Sequence, residues 1–258
     1  TYSAQPNLLD FCGSSDSASK LVNQEIFGNT ELFDTPKPLE LLNYFINITT
    51  DENDIILDFF SGSGTTAHAV MDLNAQDNGT RKFICVQWAE KTPEKSEAKK
   101  AGYETIFDIT KARIDKAGEQ IAKGDIGFRT FEIVEDQKQK IYQKSLEDVS
   151  QEDLLVMMEK PDISSNEEIL YNLFVAETLP LSTKHQELIK DKLYLASNVA
   201  FILGDITSDE LVEALKDKKE CEYITVYSPN ISNDKFTLEI ESNISKLGIK
   251  SDKLRFRG

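Results

Sequence analysis

The pattern of apolar and polar positions predicts alternating helices and strands in the first half of the chain. Apolar residues recur at helical spacing after residues 35–38, so we expect a helix there with Thr35 as its N-cap and proline in its first turn. Residues 55–60 form a short, mainly apolar run between turn residues, which predicts a buried parallel strand. A helix over 65–78 and a strand over 82–88 follow. This strand–loop–helix–strand order has the ~30-residue length of a βαβ unit.

Between residues 94 and 162, the pattern predicts a helical region, then a strand and then a linker. Residues 94–123 are predicted to be helical and highly charged, with Ile106, Ile109, Ile114 and Ile121 facing the core. Residues 128–134 alternate like a strand. Residues 135–162 are rich in Gln, Lys, Glu and Asp, and we interpret them as a linker with a short helix at 154–158.

A second, smaller α/β domain is predicted over residues 163–258. Its predicted helices are 167–178, 209–216 and 235–247, and the first of them follows the capping cluster at 164–166. Its predicted strands are 193–197, 199–203 and 223–227. The predicted domains are therefore residues 1–134 and 163–258, joined by the linker.

Charge and composition exclude several classes of protein. The 258 residues carry a formal net charge of −16, which argues against nucleic-acid binding by this chain alone. No apolar run approaches the ~18 residues of a membrane span. The first residues have no basic region followed by an apolar core, so we do not expect them to be a secretory signal. The three cysteines are widely spaced without a CxxC pair, so we expect no metal site, no disulfide framework and a cytoplasmic location. The sequence lacks an initial methionine, and we expect it to be a piece of a longer protein.

The strongest chemical signal is the glycine loop, residues 58–66, with the sequence DFFSGSGTT. Glycines after a strand allow positive φ, and the next helix N-terminus favours an anionic group. That group can be the methionine carboxylate of S-adenosylmethionine, with Asp58 accepting from the ligand's amino group, or the pyrophosphate of a dinucleotide, because the spacing also fits GxGxx(G/A). The loop can also be a purely structural turn. Gln87 stands where a dinucleotide site has an acidic residue, which argues against NAD.

Four segments together resemble a known family. TPKPLELL, ILDFFSGSGTTAHAV, GTRKFICVQWAE and YETIFDITKARI are similar to the C-terminal part of the modification (Mod) subunit of Type III restriction-modification systems. These subunits are S-adenosylmethionine-dependent, β-class DNA adenine-N6 methyltransferases. A looser similarity extends the match over most of residues 20–258. The resemblance implies a partial Rossmann-like methyltransferase sheet in residues 1–134, followed by the smaller α/β domain.

The resemblance also implies a cofactor site. The proline segment, residues 35–38, matches the motif that closes over the methionine end of the cofactor, and the glycine loop matches the cofactor loop. Ribose recognition stays open between Gln87 and Glu90, because many β-class enzymes have a glutamate at the position of Gln87. The predicted cofactor-binding residues are Thr35, Pro36, Lys37, Pro38, Asp58, Phe59, Phe60, Ser61, Gly62, Ser63, Gly64, Thr65, Thr66, Gln87 and Glu90.

The family's catalytic (D/N)PPY motif is absent from the sequence. None of the seven prolines is followed by a second one, so no group is predicted to bind a flipped base. We expect this chain alone to be inactive, with DNA contacted through an upstream part. Expected partners are a second Mod subunit and a restriction subunit. The alternatives are an NAD-binding oxidoreductase domain and a non-catalytic assembly module.

Three further features of the sequence are expected to have structural rather than functional roles. His68 is expected to face solvent or to be a hydrogen-bonded helix residue rather than a catalytic one. Phe83 and Trp88 can flank an adenine ring, but aromatic residues in strands more often belong to the core. The charged residues 94–100 are expected to form a solvated helix face.

Overall fold

The computed structural model divides the chain into two units, Thr1–Glu132 and Ile133–Gly258. It describes residues 11–28, 31–135, 137–158, 165–232 and 236–258. Both units combine helices with a sheet, so the chain is a mixed α/β protein.

The first unit contains a parallel pair of strands joined by a helix. Its described strands are β1 (Ile55–Asp58) and β2 (Lys82–Cys85), and Ile55 pairs with Lys82 while Asp58 pairs with Cys85. Its described α-helices are α1 (Ser15–Ser19), α2 (Leu39–Thr49), α3 (Thr65–Asp77), α4 (Glu97–Lys100) and α5 (Ile106–Ile121), and a π-helix (Lys20–Ile26) continues α1. The predicted strand–helix–parallel strand unit is confirmed, with both strands shorter than expected.

Helix α3 lies at the centre of this unit. One side packs on α2 through a cluster that contains Val70 and Ile46, and another side packs on α5 through a cluster that contains Met71 and Ile114. The helix is therefore covered by apolar contacts on more than one side, which fixes its N-terminus and the loop before it.

The predicted burial of β1 is wrong for one of its faces. Ile55 and Leu57 are 61% and 49% exposed, whereas the alternate residue Ile56 packs against the α2–α3 cluster. Ile84 on β2 is also 51% exposed. Within the described residues, helices cover only one face of this parallel pair.

The predicted start of α2 at Thr35 is also wrong. The N-cap is Pro38, with φ −60° and ψ 135°, and the helix begins at Leu39. A residue that precedes proline is disfavoured in the helical region, so Lys37 cannot easily be part of a helical turn. The segment 35–38 therefore forms an extended connection that leads into α2.

The region 94–123, which was predicted to be helical, contains two helices with a break between them. Helix α4 ends at Lys100, Gly102 has φ +91°, and Thr105 caps α5 by accepting from the Asp108 N–H. The glycine and the capping box interrupt the helical pattern. Ile109 and Ile114 are buried as predicted. Ile106 and Ile121 are partly buried and pack against neighbouring apolar clusters.

The strand predicted over 128–134 is not formed. Ile133 and Val134 are 93% and 75% exposed, and the segment is irregular. Alternation stabilises a strand only where a neighbouring strand supplies the hydrogen bonds and one face is buried. The next described elements are α6 (Gln137–Tyr142), a 3₁₀ turn (Leu146–Asp148) and α7 (Gln151–Met158), which is longer than the predicted short helix.

The second unit is built on a five-stranded sheet of order β3-β4-β5-β6-β7. The strands are β3 (His185–Ile189), β4 (Leu193–Ala196), β5 (Val199–Ile202), β6 (Tyr223–Tyr227) and β7 (Leu254–Arg257), and the described helices are α8 (Asn166–Ala176), α9 (Ser208–Leu215) and α10 (Phe236–Ile244). The β3–β4 and β4–β5 pairs are antiparallel, and the β5–β6 and β6–β7 pairs are parallel.

Apolar clusters cover the sheet of the second unit on both faces. Helices α9 and α10 pack through Leu211 and Ile240 with Ile202, while α8 packs through Phe174 with Phe201. The predicted α/β character and the predicted helices and central strands are confirmed, and the edge strands β3 and β7 were missed. Residue 164 of the capping cluster and residue 235 of the last predicted helix lie outside the described residues.

Among the described residues, every helix is too short or too polar to span a membrane. No group of three or more His, Cys, Asp or Glu side chains among them is arranged to hold a metal ion.

Candidate functional site

Two glycines shape the loop between β1 and α3. Gly62 and Gly64 have φ +52° and +80°, and Gly64 is the N-cap of α3, with its N–H donating to Ser61 O at 2.7 Å. A Cβ at Gly64 would lie 3.2 Å from both Thr110 O and Ile114 Cγ1. Position 64 therefore requires glycine for its backbone conformation and for the close approach of α5.

Asp58 closes the loop from the end of β1. Its Oδ2 accepts from Thr66 Oγ1 at 2.5 Å, and its Oδ1 accepts from the Phe60 N–H at 3.0 Å. The carboxylate thus holds the loop and the first turn of α3 together. Each oxygen has a further lone pair, and the side chain is half-buried, so a ligand donor can still reach it.

Gln87, which follows the end of β2, holds the glycine loop, whereas Glu90 does not share this role. Gln87 Oε1 accepts from the Gly62 N–H at 2.7 Å, and its Nε2 donates to Trp88 O at 3.0 Å. Glu90 is exposed, and its backbone carbonyl accepts from the Ile106 N–H at the start of α5. The structure brings Gln87 to the glycine loop and places Glu90 where its side chain faces solvent.

The proline segment contacts the first turn of α3. Thr65 Oγ1 donates to Lys37 O at 3.4 Å, and Pro36 is buried. The two predicted parts of the site, separated by 28 positions in sequence, are therefore adjacent.

Sequence reasoning missed Asn23, which holds the chain just before the proline segment. Its buried side-chain oxygen accepts from the Leu32 and Phe33 N–H groups at 3.0 and 3.2 Å, and its Nδ2 donates to Phe33 O at 3.0 Å. An asparagine within a helical segment gives no local sign of contacts made nine or ten residues later.

Arg113 was also missed, although it lies against the glycine loop. Its side chain is fully buried, and Nη1 donates to Ser63 Oγ at 2.7 Å and to Thr65 Oγ1 at 2.6 Å. Burial lowers the pKa of Arg113 to about 10. One feature of the sequence could have revealed it: Arg113 lies at helical spacing from the core residues Ile109 and Ala117. That spacing places it on the buried face of α5.

The expectation that His68 faces solvent or is fully hydrogen-bonded was wrong. The side chain is 6% exposed, and Nδ1 has no hydrogen-bond partner within the described residues. Burial, together with the nearby positive charge of Arg113, lowers the pKa of His68 to about 4. The imidazole is therefore neutral at pH 7.

Three aromatic rings are exposed where the parallel strands end. Phe60 is 91% exposed, Trp88 83% and Phe59 64%. The core interpretation of Trp88 is wrong, because the ring lies beyond the last residue of β2. Phe83 within β2 packs in the core near Phe128, as expected for a strand residue.

The charged segment 94–100 is a solvated surface, as predicted. Lys100 pairs with Glu97 at 2.6 Å, three residues earlier on α4, and both side chains are more than half exposed.

Comparisons with known proteins match the first part of the chain. Residues 11–100 match a protein-family model described as DNA methylase. The Mod subunit of the Type III restriction-modification enzyme StyLTI from Salmonella typhimurium is 42% identical over 113 residues, which is 42% of this chain and 17% of that protein. The EcoP15I Mod subunit from Escherichia coli is 42% identical over 107 residues, 42% of this chain and 16% of that protein.

A relative of a different type matches a similar share of this chain. The Type II methyltransferase M.KpnI from Klebsiella pneumoniae is 38% identical over 110 residues, 43% of this chain and 26% of that protein. The match spans about a sixth of the length of the two Mod subunits. These comparisons give no support to the oxidoreductase alternative.

Proposed function

We propose that this chain is the cofactor-binding C-terminal portion of a site-specific DNA adenine-N6 methyltransferase, the Mod subunit of a Type III restriction-modification system. The match of residues 11–100 to a family model described as DNA methylase supports this proposal. One observation carries the proposal. The glycine loop is held by Asp58 and Gln87, and the proline segment contacts the helix that begins at its end. This arrangement leaves a helix N-terminus between two segments that the family resemblance assigns to the same ligand.

The residues of the loop suit S-adenosylmethionine. The backbone around Gly62 and Gly64 and the N-terminus of α3 favour the methionine carboxylate, and Asp58 has lone pairs for the ammonium group. The side-chain oxygen of Gln87 already binds the Gly62 N–H. Glu90 is therefore the better candidate to bind the ribose. The exposed ring of Trp88 suits stacking on the adenine.

In this proposal, the chain binds and orients the cofactor. S-adenosylmethionine supplies a methyl group on a positively charged sulfur. The proline segment covers the methionine end, and the Asp58 carboxylate holds the ammonium group beside the loop. Recognition of the target adenine belongs to the (D/N)PPY motif and the target-recognition segment, which the sequence of this chain does not contain.

The exposed face of the β1–β2 pair supports a larger Rossmann-like sheet in the whole protein. Parallel strands are almost always covered on both faces, yet Ile55, Leu57 and Ile84 are about half exposed or more on one face of this pair. We infer that the part of the protein carrying the catalytic motif covers this face and adds strands to the sheet.

The partners follow from the same proposal. DNA, a second Mod subunit and a restriction subunit are the expected partners of the whole protein, with no membrane partner and a cytoplasmic location. The net charge of −16 agrees with DNA being contacted through another part. The second unit has its own apolar core and sheet, so we assign to it the role of an assembly module within the same protein.

Calorimetry with S-adenosylhomocysteine tests the cofactor proposal. We expect binding to the chain, loss of binding on Asp58→Ala, and unchanged binding on Asp51→Ala, an exposed aspartate before β1. If neither this chain nor a longer chain with a (D/N)PPY motif binds the ligand, the proposal is wrong. We also expect no transfer of labelled methyl groups to DNA by this chain alone.

A further inference from the structure

Arg113 places a positive charge inside the first unit, and no acidic side chain among the described residues pairs with it. Its side chain is fully buried, and Nε and Nη2 have no hydrogen-bond partner within the described residues. Burial is the cause of its lowered pKa. An unpaired buried charge is expensive, so a fold that needed only packing at this position would be better served by an apolar side chain.

The charge lies directly beneath the glycine loop. Nη1 reaches Ser63 Oγ, Ser63 O and Thr65 Oγ1 at 2.7, 3.4 and 2.6 Å. Thr65 is the first residue of α3, a helix of 13 residues. The full charge of the guanidinium therefore adds to the partial positive charge of this helix N-terminus.

Arg113 also reaches the proline segment through one hydroxyl. Because the guanidinium donates to Thr65 Oγ1, the hydroxyl proton of Thr65 is free to point at Lys37 O, 3.4 Å away. Hydrogen bonds in such a chain strengthen one another. A charge on α5 thus influences both segments assigned to the cofactor site.

We propose that Arg113 is a positioning residue that makes the glycine loop selective for ligands with an amino-acid carboxylate. It acts through Ser63 and Thr65, and it orients the loop and the proline segment around that carboxylate without touching the ligand. This inference rests on the proposed function and adds the group that provides the electrostatic preference.

The test compares two ligands that differ in the amino-acid part. S-adenosylhomocysteine carries the carboxylate, and 5′-methylthioadenosine keeps the adenosine and the thioether without the amino acid. For Arg113→Met we expect the affinity for S-adenosylhomocysteine to fall about tenfold or more, as for loss of a nearby charge in a poorly screened site. The affinity for 5′-methylthioadenosine should change less than about twofold, and Arg113→Lys should recover part of the difference because it keeps the charge.

Two further variants complete the test. Lys116→Met, on an exposed position of the same helix, is the matched control and should leave both affinities unchanged. If Arg113→Met does not fold, Thr65→Val takes its place, because it removes the link to Lys37 and keeps the charge; we expect a selective loss for S-adenosylhomocysteine.

The outcomes separate the inference from the proposed function. If both ligands weaken equally in Arg113→Met, or neither weakens, Arg113 has only a structural role and the inference is wrong. If Arg113→Met does not fold, the same results in Thr65→Val overturn the inference. If the unaltered chain and the longer chain bind neither ligand, the proposed function is overturned, and this inference with it.

Discussion

Gln87 holds Gly62 in place: its Oε1 accepts the Gly62 N–H at 2.7 Å, across 25 positions of sequence. The bond connects the segment just after β2 to the turn of the glycine loop. The side-chain oxygen thus supplies the acceptor for a backbone N–H of the loop.

Replacing Gln87 with methionine should therefore destabilise the loop. We expect a loss of about 1 kcal/mol in the free energy of unfolding, the usual effect of leaving a partly buried N–H without its acceptor, and weaker binding of S-adenosylhomocysteine. Urea unfolding and calorimetry measure the two effects. Gln87→Glu keeps an acceptor and should retain most of the stability, and Gln24→Met, at an exposed position, is the control. Equal stability of Gln87→Met and the unaltered chain would contradict the role assigned to this bond.

Gly64→Ala should be more damaging than an alanine at another left-handed glycine. Both Gly64 and Gly102 have positive φ, but only the Cβ at Gly64 would crowd Thr110 O and Ile114, while a Cβ at Gly102 has nothing within 4 Å. We expect Gly102→Ala to cost about 1 kcal/mol from backbone strain. Gly64→Ala should cost about 1–3 kcal/mol more, from overpacking. Urea unfolding compares the two, and a similar cost for both would show that α5 is not packed against the loop.

Acidification should destabilise the first unit through His68. Its pKa is lowered to about 4 in the folded chain from the ordinary 6.5. As the pH falls below 6.5, the unfolded state therefore takes up the proton first. The stabilisation is complete above pH 6.5 and is lost as the pH falls towards 4, with about 1 kcal/mol lost by pH 5.5.

The comparison of pH 7.5 with pH 5.5 tests this. His68→Leu should show a smaller loss of unfolding free energy between these values than the unaltered chain. An NMR titration follows the imidazole directly, and a His68 resonance that titrates near 6.5 would contradict the assignment.

Glu177 should be important for the second unit. Its side chain is fully buried and accepts from Arg255 Nη1 and from Arg257 Nε, the latter at 3.2 Å, so it connects the end of α8 to β7. We expect Glu177→Gln to lower the free energy of unfolding by about 2 kcal/mol; the loss is less than for a fully buried pair because both arginines are partly exposed. Urea unfolding measures it, with the exposed Glu220→Gln as control. An effect no larger than that of the control would mean that these pairs do not stabilise the unit.

Local pattern was sufficient for some elements and insufficient for others. The glycine loop and α3 were predictable because glycine backbone freedom and helical spacing act within a few residues. The start of α2 was misjudged because Pro38 forces Lys37 out of the helical region. The strand expected over 128–134 failed because a strand needs a partner, and alternation carries no information about whether one is present.

Sequence by itself determined the loop between β1 and α3, the following helix, the parallel strand after it and the absence of a (D/N)PPY motif, because each depends on neighbouring residues or on the letters alone. Tertiary structure decided which distant side chains meet that loop. Arg113 reaches Ser63 across 50 positions, and Lys37 meets Thr65 across 28. The burial of His68 and the exposure of Trp88 also depend on what packs around α3 and β2. Such contacts arise when helices and strands bury their apolar faces against one another. The spacing of residues within one helix or strand does not determine which polar groups then come into contact.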